Sequence, residues 1–193
     1  GRVPPPTAPT RPPHGRRMAG LIFADFASFR RLGDPAFPRY YRDIMQSLAR
    51  LLDRHGARVL VRQTWGDALH VVTDDATSAA HIVVDIQQYI ERRRRRHDGV
   101  LADLELRIAA HYAPAWAGYD PIERKPSYYG TQLSFAARIE PVVPPGMIYV
   151  TEPFAARVAL EAPTQFMLDY AGEVDLAKQF GTYRLYSLRR RGT

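Results

Sequence analysis

Hydrophobic positions along the chain change period several times, and each change marks an element. Leu21-Ile22-Phe23-Ala24-Asp25-Phe26 is a short apolar run bounded by Gly20 and a polar loop, which predicts a strand over Gly20–Phe26. From Pro35 to Arg54 the apolar residues Phe37, Tyr41, Ile44, Met45, Leu48, Leu51 and Leu52 fall on one helical face, and Gly56 supplies the stop. Two strands follow, Arg58–Gln63 and Ala68–Thr73, joined by the tight segment Thr64-Trp65-Gly66-Asp67. A second helix is predicted over Thr77–Arg95, with Ala80, Val83, Val84, Ile86 and Ile90 inside. Leu104–Tyr112 alternates as a strand, and Tyr129–Glu140 is helical until Pro141, Pro144 and Pro145 end it. Met147–Thr151 reads as a strand, Glu152–Leu160 as a short helix, and Phe166–Leu176 with Thr182–Leu188 as an antiparallel pair. The order β-α-β-β-α-β, with an appended α-β and a terminal hairpin, is an α/β (α+β) architecture with a ferredoxin-like core.

Composition narrows the picture. The 193 residues suit one domain, predicted over 18–189, with a basic tail at 190–193. Residues 1–17, GRVPPPTAPTRPPHGRR, are proline-rich without apolar periodicity and read as a disordered leader or as a linker to other domains of a longer protein. No cysteine is present, which excludes disulfides, zinc-thiolate sites and cysteine nucleophiles. No apolar run approaches the roughly 20 residues of a membrane span, so a cytoplasmic location is expected. The net charge of +7 raises the question of nucleic acid. Nearly half of the 27 basic residues, however, lie in three clusters: Arg2, Arg11, Arg16 and Arg17; Arg92–Arg96; and Arg189–Arg191. The remainder is mildly acidic and shows no basic groove interleaved with aromatics, so no nucleic-acid partner is expected. The Arg92–Arg96 run reads as a solvated helix C-terminus, with an interaction patch as the alternative. The six histidines, among them His70, His81 and His111, show no ligand spacing and are read as packed or solvated.

Two carboxylates stand out by position. Asp25 ends the first strand, and Asp67 lies in the turn joining the second and third. In a ferredoxin-like sheet that strand end and that turn can lie close together, and two aspartates there suit a hard divalent cation, which is held by one or two carboxylates plus substrate phosphates. On spacing alone the commoner reading is structural: Asp25 caps a turn and Asp67 forms an Asp turn after glycine.

Four blocks shift that balance. LIFADFASF, TWGDALHVV, LRIAAHYAPAWAG and YYGTQLSFAARIEPVVPPGMIYV occur in the order and at the separations of class III adenylate and guanylate cyclase catalytic domains, and the chain resembles that family from about Leu21 to Leu188. The resemblance implies a nucleotide cyclase that makes a 3′,5′-cyclic nucleotide with two Mg²⁺ or Mn²⁺ ions per site. Asp25, Asp67 and the backbone carbonyl of Phe26 would hold the ions, and the amides of Ala27, Ser28 and Phe29 would touch the triphosphate. Arg138 would stabilise the reacting α-phosphate with a planar five-donor fork that lysine does not reproduce; a helix-surface ion pair with Glu140 or a neighbour is its plain alternative. Lys178 is the best match to a late phosphate-binding lysine, though LAKQFG lacks the usual Lys-Gly pair and an exposed loop lysine is its plain alternative; Arg124 and Lys125 are weaker phosphate candidates. The resemblance also implies a homodimer with two sites, Asp25 and Asp67 coming from one chain and Gln63, Ser127, Ser134 and Arg138 from the other.

Three positions depart from the family pattern. Ser134 stands where asparagine is usual and donates a single hydrogen bond from a shorter side chain. Gln63 and Ser127 occupy the two base-reading positions. Gln63 both donates and accepts, so it could read a purine or a pyrimidine edge, while Trp65, Tyr128 and Tyr129 either narrow that pocket or pack in the core and dimer interface. ATP is the first substrate by family frequency, with UTP or CTP as the alternative. The rival reading is a degenerate cyclase-homology domain that binds nucleotide or dimerises to regulate a fused partner.

Overall fold

Strand β1 (Gly15–Phe26) organises the sheet because its residues alternate between two buried surfaces. In the computed structural model, which describes residues 15–96, 103–176 and 181–192, Ile22, Ala24 and Phe26 enter the largest hydrophobic cluster. Ala19 and Leu21 enter a second cluster on the opposite side. A strand buried on both faces needs cover on both, and helices provide it.

The helical stretch after β1 runs through α1 (Phe37–Tyr40), a π-turn (Tyr41–Met45) and α2 (Gln46–Arg54). It presents Tyr40, Ile44, Leu48, Leu51 and Leu52 to the main core. Strands β2 (Val59–Trp65) and β3 (Ala68–Thr73) form a hairpin whose turn is only Gly66-Asp67. Gly66 has φ 63°, the positive value that a two-residue hairpin uses at its first turn position. Helix α3 (Ala76–Arg95) starts at Asp75, whose carboxylate accepts from the Ser78 amide at 2.6 Å. It ends in Arg92–Arg95, as the charge pattern predicts. Part of that run finds local partners: Arg94 pairs with Glu105 at 2.5 Å, and Arg93 lies 5.9 Å from the Tyr89 ring centroid.

Strand β4 (Leu106–Asp120) runs well beyond Tyr112 and turns back into β5 (Lys125–Tyr129), a strand the hydrophobic pattern does not predict. Helix α4 (Thr131–Ile139), β6 (Ile148–Thr151), α5 (Glu152–Glu161), β7 (Phe166–Leu176) and β8 (Gly181–Arg190) complete the fold. The eight-stranded sheet has the order β2-β3-β1-β4-β6-β8-β7, with β5 paired to β4. Its first four strands follow the expected ferredoxin-like βαββαβ core. Gly15–Arg17, read as leader, belong to β1 and pair with Ala115–Ala117. Arg190, read as tail, closes β8. No helix among the described residues is long and apolar enough to cross a membrane.

The helices α1, α2, α3 and α5 cover one face of the sheet, and α4 lies on the other. Gly20 sits where α3 comes closest to β1. A Cβ there would stand 2.3 Å from Thr73 Oγ1 and 2.8 Å from both Ala79 Cβ and the Asp75 carbonyl oxygen. Gly20→Ala is therefore expected to destabilise the chain by about 1–3 kcal/mol, read as a thermal midpoint lowered by roughly 2–4 °C per kcal/mol. An unchanged midpoint would show that α3 can shift without loss.

Candidate functional site

The face that carries α4 also carries the polar residues of interest, because strand parity puts them there. Phe23 and Asp25 share the side of Leu21, Gln63 shares that of Val61, and His70 that of Val72, all facing the α4 side. Register then sets neighbours: Asp25 lies opposite Arg107 of β4, and His70 lies between Phe23 and Gln63.

Asp25 and Asp67 come together. The Asp67 carboxyl is pushed up to about 6, first by burial and then by its hydrogen-bonded contact with Asp25, with Arg30 opposing. Asp25 Oδ2 accepts from Arg107 Nη2 at 2.8 Å, while its Oδ1 is buried with no hydrogen-bond partner. Arg107 Nε in turn lies 2.9 Å from Glu140 Oε1, an ion pair without hydrogen-bond alignment. Burial raises Glu140 to about 7, against the lowering by Arg107. Glu140 pairs with Arg107, so Asp25 and Glu140 both meet the Arg107 guanidinium, while Asp67 stands against Asp25 with Arg30 as its opposing charge.

The residues fit a divalent cation. An orphaned buried carboxylate oxygen and a second, protonatable carboxylate beside it are hard oxygen donors of the type Mg²⁺ and Mn²⁺ prefer. Among the described residues no group of three or more His, Cys, Asp or Glu is placed to hold a metal, so the remaining ligands would have to come from backbone, water and phosphate.

Other predicted residues are distributed as follows. Phe26 ends β1 and its side chain is buried. The Ala27 amide donates to the Glu105 carbonyl at 2.9 Å and is thereby engaged within the chain. Ser28 and Phe29 open the short turn beyond it. Ser134, exposed, and Arg138, half-buried, lie one turn apart on α4. Ser127 is half-buried on β5. Gln63 and Lys125 line one cleft of about 250 Å³ between α2 and β2. Arg124 occupies the turn before β5 at φ 54°. Lys178 lies outside the described residues. Trp65 and Tyr129 are exposed, at 57% and 52%, and Tyr128 packs partly against the second cluster.

Sequence patterns do not single out Tyr40, nor the pairing of Arg107 with Asp25 and Glu140. Tyr40 is 1% exposed at the head of the π-turn, its hydroxyl has no partner, and burial followed by the Asp67 charge pushes the phenol far above its usual value. Register is what sets Arg107 opposite Asp25. His111 is hydrogen-bonded on both sides, Nδ1 to Thr151 Oγ1 at 2.8 Å and Nε2 to Gln132 Oε1 at 2.9 Å, in keeping with a packed role.

Residues 14–189 match the adenylate and guanylate cyclase catalytic domain family. Among solved structures, the adenylyl cyclase CyaB from P. aeruginosa is similar at 16% identity, over 91% of this chain and 95% of that one, with a TM-score of 0.78. An adenylate cyclase from Trypanosoma brucei in its monomeric state matches at 19% identity, covering 92% and 91%, with a TM-score of 0.74. The guanylate cyclase domain of RhGC from Catenaria anguillulae, in complex with GTP, matches at 17% identity, covering 91% and 97%, with a TM-score of 0.73. At these identities the structural likeness speaks for the fold. No curated protein matches the sequence.

Proposed function

We propose, because this chain belongs to the adenylate and guanylate cyclase catalytic domain family, that it closes a nucleoside triphosphate to a 3′,5′-cyclic nucleotide and pyrophosphate at a homodimer interface. The observation that carries this reading is the pairing of Asp25 with Asp67, with one buried oxygen of Asp25 left unpartnered. The 3′-oxygen forms a bond to the α-phosphorus, the bond from that phosphorus to the bridging oxygen breaks, and the hydroxyl proton passes to solvent. Mg²⁺ or Mn²⁺, two per site on Asp25, Asp67 and the Phe26 carbonyl, would polarise the 3′-hydroxyl and offset the triphosphate charge.

The chain's own groups do the rest. Arg107 holds Asp25 through Oδ2, which keeps the other oxygen directed at the cation site. Ser28 and Phe29 offer backbone amides to phosphate, as does Lys178 its amine. From the partner chain, Arg138 faces the charge that builds on the α-phosphate, Ser134 positions the substrate beside it, and Gln63 with Ser127 reads the base. Exposed Tyr129 suits a face covered by a second copy.

Incubation with Mn²⁺ and each nucleoside triphosphate in turn, with chromatography of the products, tests the reading. Cyclic product from one or more is expected, ATP first and UTP or CTP as the alternatives. No cyclic product from any, with the dimer intact, would sink turnover and favour a regulatory domain; the short Ser134 hydroxyl is the feature that would account for it.

A further inference from the structure

His70 is 2% exposed, and neither of its ring nitrogens has a hydrogen-bond partner. Roughly nine in ten buried polar groups are partnered, so an imidazole with both nitrogens unmet calls for an explanation. The same sheet satisfies another buried histidine completely, since His111 is bonded at both nitrogens. The contrast separates a histidine used for packing from one whose polar edge is left open.

Position supplies the explanation. His70 is the direct cross-strand neighbour of Gln63 on one side and of Phe23 on the other, on the face that carries α4. Its ring stacks with Phe23 at 4.4 Å and 19°, and with Trp65 at 6.0 Å and 15°. Those two rings come from the strands flanking β3, so they take up the imidazole faces and leave its edge. A partner for the nitrogens must therefore arrive edge-on, and the edge of a planar heterocycle meets that condition. Trp65, 57% exposed beside the Gly66-Asp67 turn, is the outermost ring of the enclosure. Burial lowers the imidazole to about 4, so it is neutral at physiological pH and presents one donor and one acceptor. The adjacent Gln63 amide presents one of each as well.

We infer that His70 is a specificity-determining residue of this site: with Gln63 it hydrogen-bonds the edge of the substrate's base once Trp65 turns aside. The inference rests on the reading of the site as a nucleotide cyclase and adds a base-reading residue to it.

The test uses the dimeric protein in a Trp116→Phe background, so that Trp65 reports binding by its fluorescence. Each of the four nucleoside triphosphates is titrated with Mn²⁺ against His70, His70→Phe and His70→Gln, and the kcat/KM ratios are measured alongside. His70→Phe keeps the ring stack and removes both nitrogens. It is expected to reduce the preference for the best base at least about tenfold, with a thermal midpoint equal to or above that of the parent, because no existing hydrogen bond is lost. His70→Gln, which keeps a donor and an acceptor, should retain part of the preference, and it carries the test if the phenylalanine variant does not fold. Base preference in His70→Phe within twofold of the parent would overturn the inference. Loss of the dimer in that variant by light scattering would overturn it too, by assigning the nitrogens to a partner side chain. Binding with base preference but no turnover would leave His70 standing and sink the cyclase reading; no binding of any nucleotide would sink both.

Discussion

Asp67→Asn is expected to lower turnover about a thousandfold or more while making the cation-free protein more resistant to heat at neutral pH. The two effects have one cause. In the folded chain the Asp67 carboxyl is raised to about 6 by burial and by Asp25, above the ordinary aspartate value. A carboxyl whose folded pKa is raised binds its proton more tightly in the native state, so its contribution to stability is present at low pH and is lost as pH rises through about 6. Above that pH the fold holds an ionised Asp67 against Asp25 and near Glu140, and asparagine of the same shape removes the repulsion. The same change removes a proposed cation ligand, and a loss of several kcal/mol of transition-state stabilisation is about a thousandfold or more in rate. Product formation should fall by that amount, and added Mn²⁺ should raise the melting temperature of the parent but not of the variant. Because cation and proton compete for this carboxyl, the Mn²⁺ concentration needed for half-maximal stabilisation of the parent should climb as pH drops below about 6. Turnover in Asp67→Asn within tenfold of the parent would remove Asp67 from the chemistry. A lower cation-free melting temperature at neutral pH would show that the carboxylate is held by contacts other than the ones described.

Strand order in the sequence allows Asp25 and Asp67 to lie close together, but on spacing alone a structural reading is commoner, and the four blocks that resemble the cyclase family carry the pair. The Arg107–Glu140 pair was not legible in the sequence. Asp25 and Arg107 are 82 residues apart and meet only because β1 and β4 pair in one particular register, which alternation alone does not specify. The extension of β4 into β5 was hidden for a related reason. Ala113-Pro114-Ala115-Trp116-Ala117-Gly118 and Lys125-Pro126-Ser127-Tyr128-Tyr129 carry small residues and proline in place of the β-branched alternation that marks a strand, and they become strands by pairing with each other and with the start of β1. Gly118 belongs to that arrangement: a Cβ there would stand 2.6 Å from the Tyr129 ring. His70 was legible as a strand residue, whereas its unmet nitrogens depend on what surrounds it in space.

The second large effect concerns the other half of the proposed site. Arg138→Ala is expected to lower kcat by about a hundredfold to a thousandfold, the range for removing one aligned donor at developing charge. Arg138→Lys should recover little of it, since a single ammonium does not reproduce the guanidinium fork. Loss of transition-state stabilisation alone would lower kcat and kcat/KM together with KM near the parent value, whereas a merely structural role on α4 would show as a lowered melting temperature. The two halves can be tested against each other. If Asp25 and Arg138 act from opposite chains, Asp25→Ala and Arg138→Ala are each inactive alone, but a heterodimer of the two rebuilds one intact site and collects both defects in the other. With equal amounts and free exchange, half of the dimers are mixed and each has one working site, so the mixture should regain about a quarter of the parent activity. Differently tagged chains, coexpressed and purified through both tags, isolate the heterodimer and should reach about half. Inactive heterodimers of confirmed composition would place Asp25 and Arg138 in the same chain's site and overturn the cross-subunit assignment. Recovery would tie the carboxylates on β1 and the β2–β3 turn to the arginine on the partner's α4, and would show why neither chain alone has the whole site.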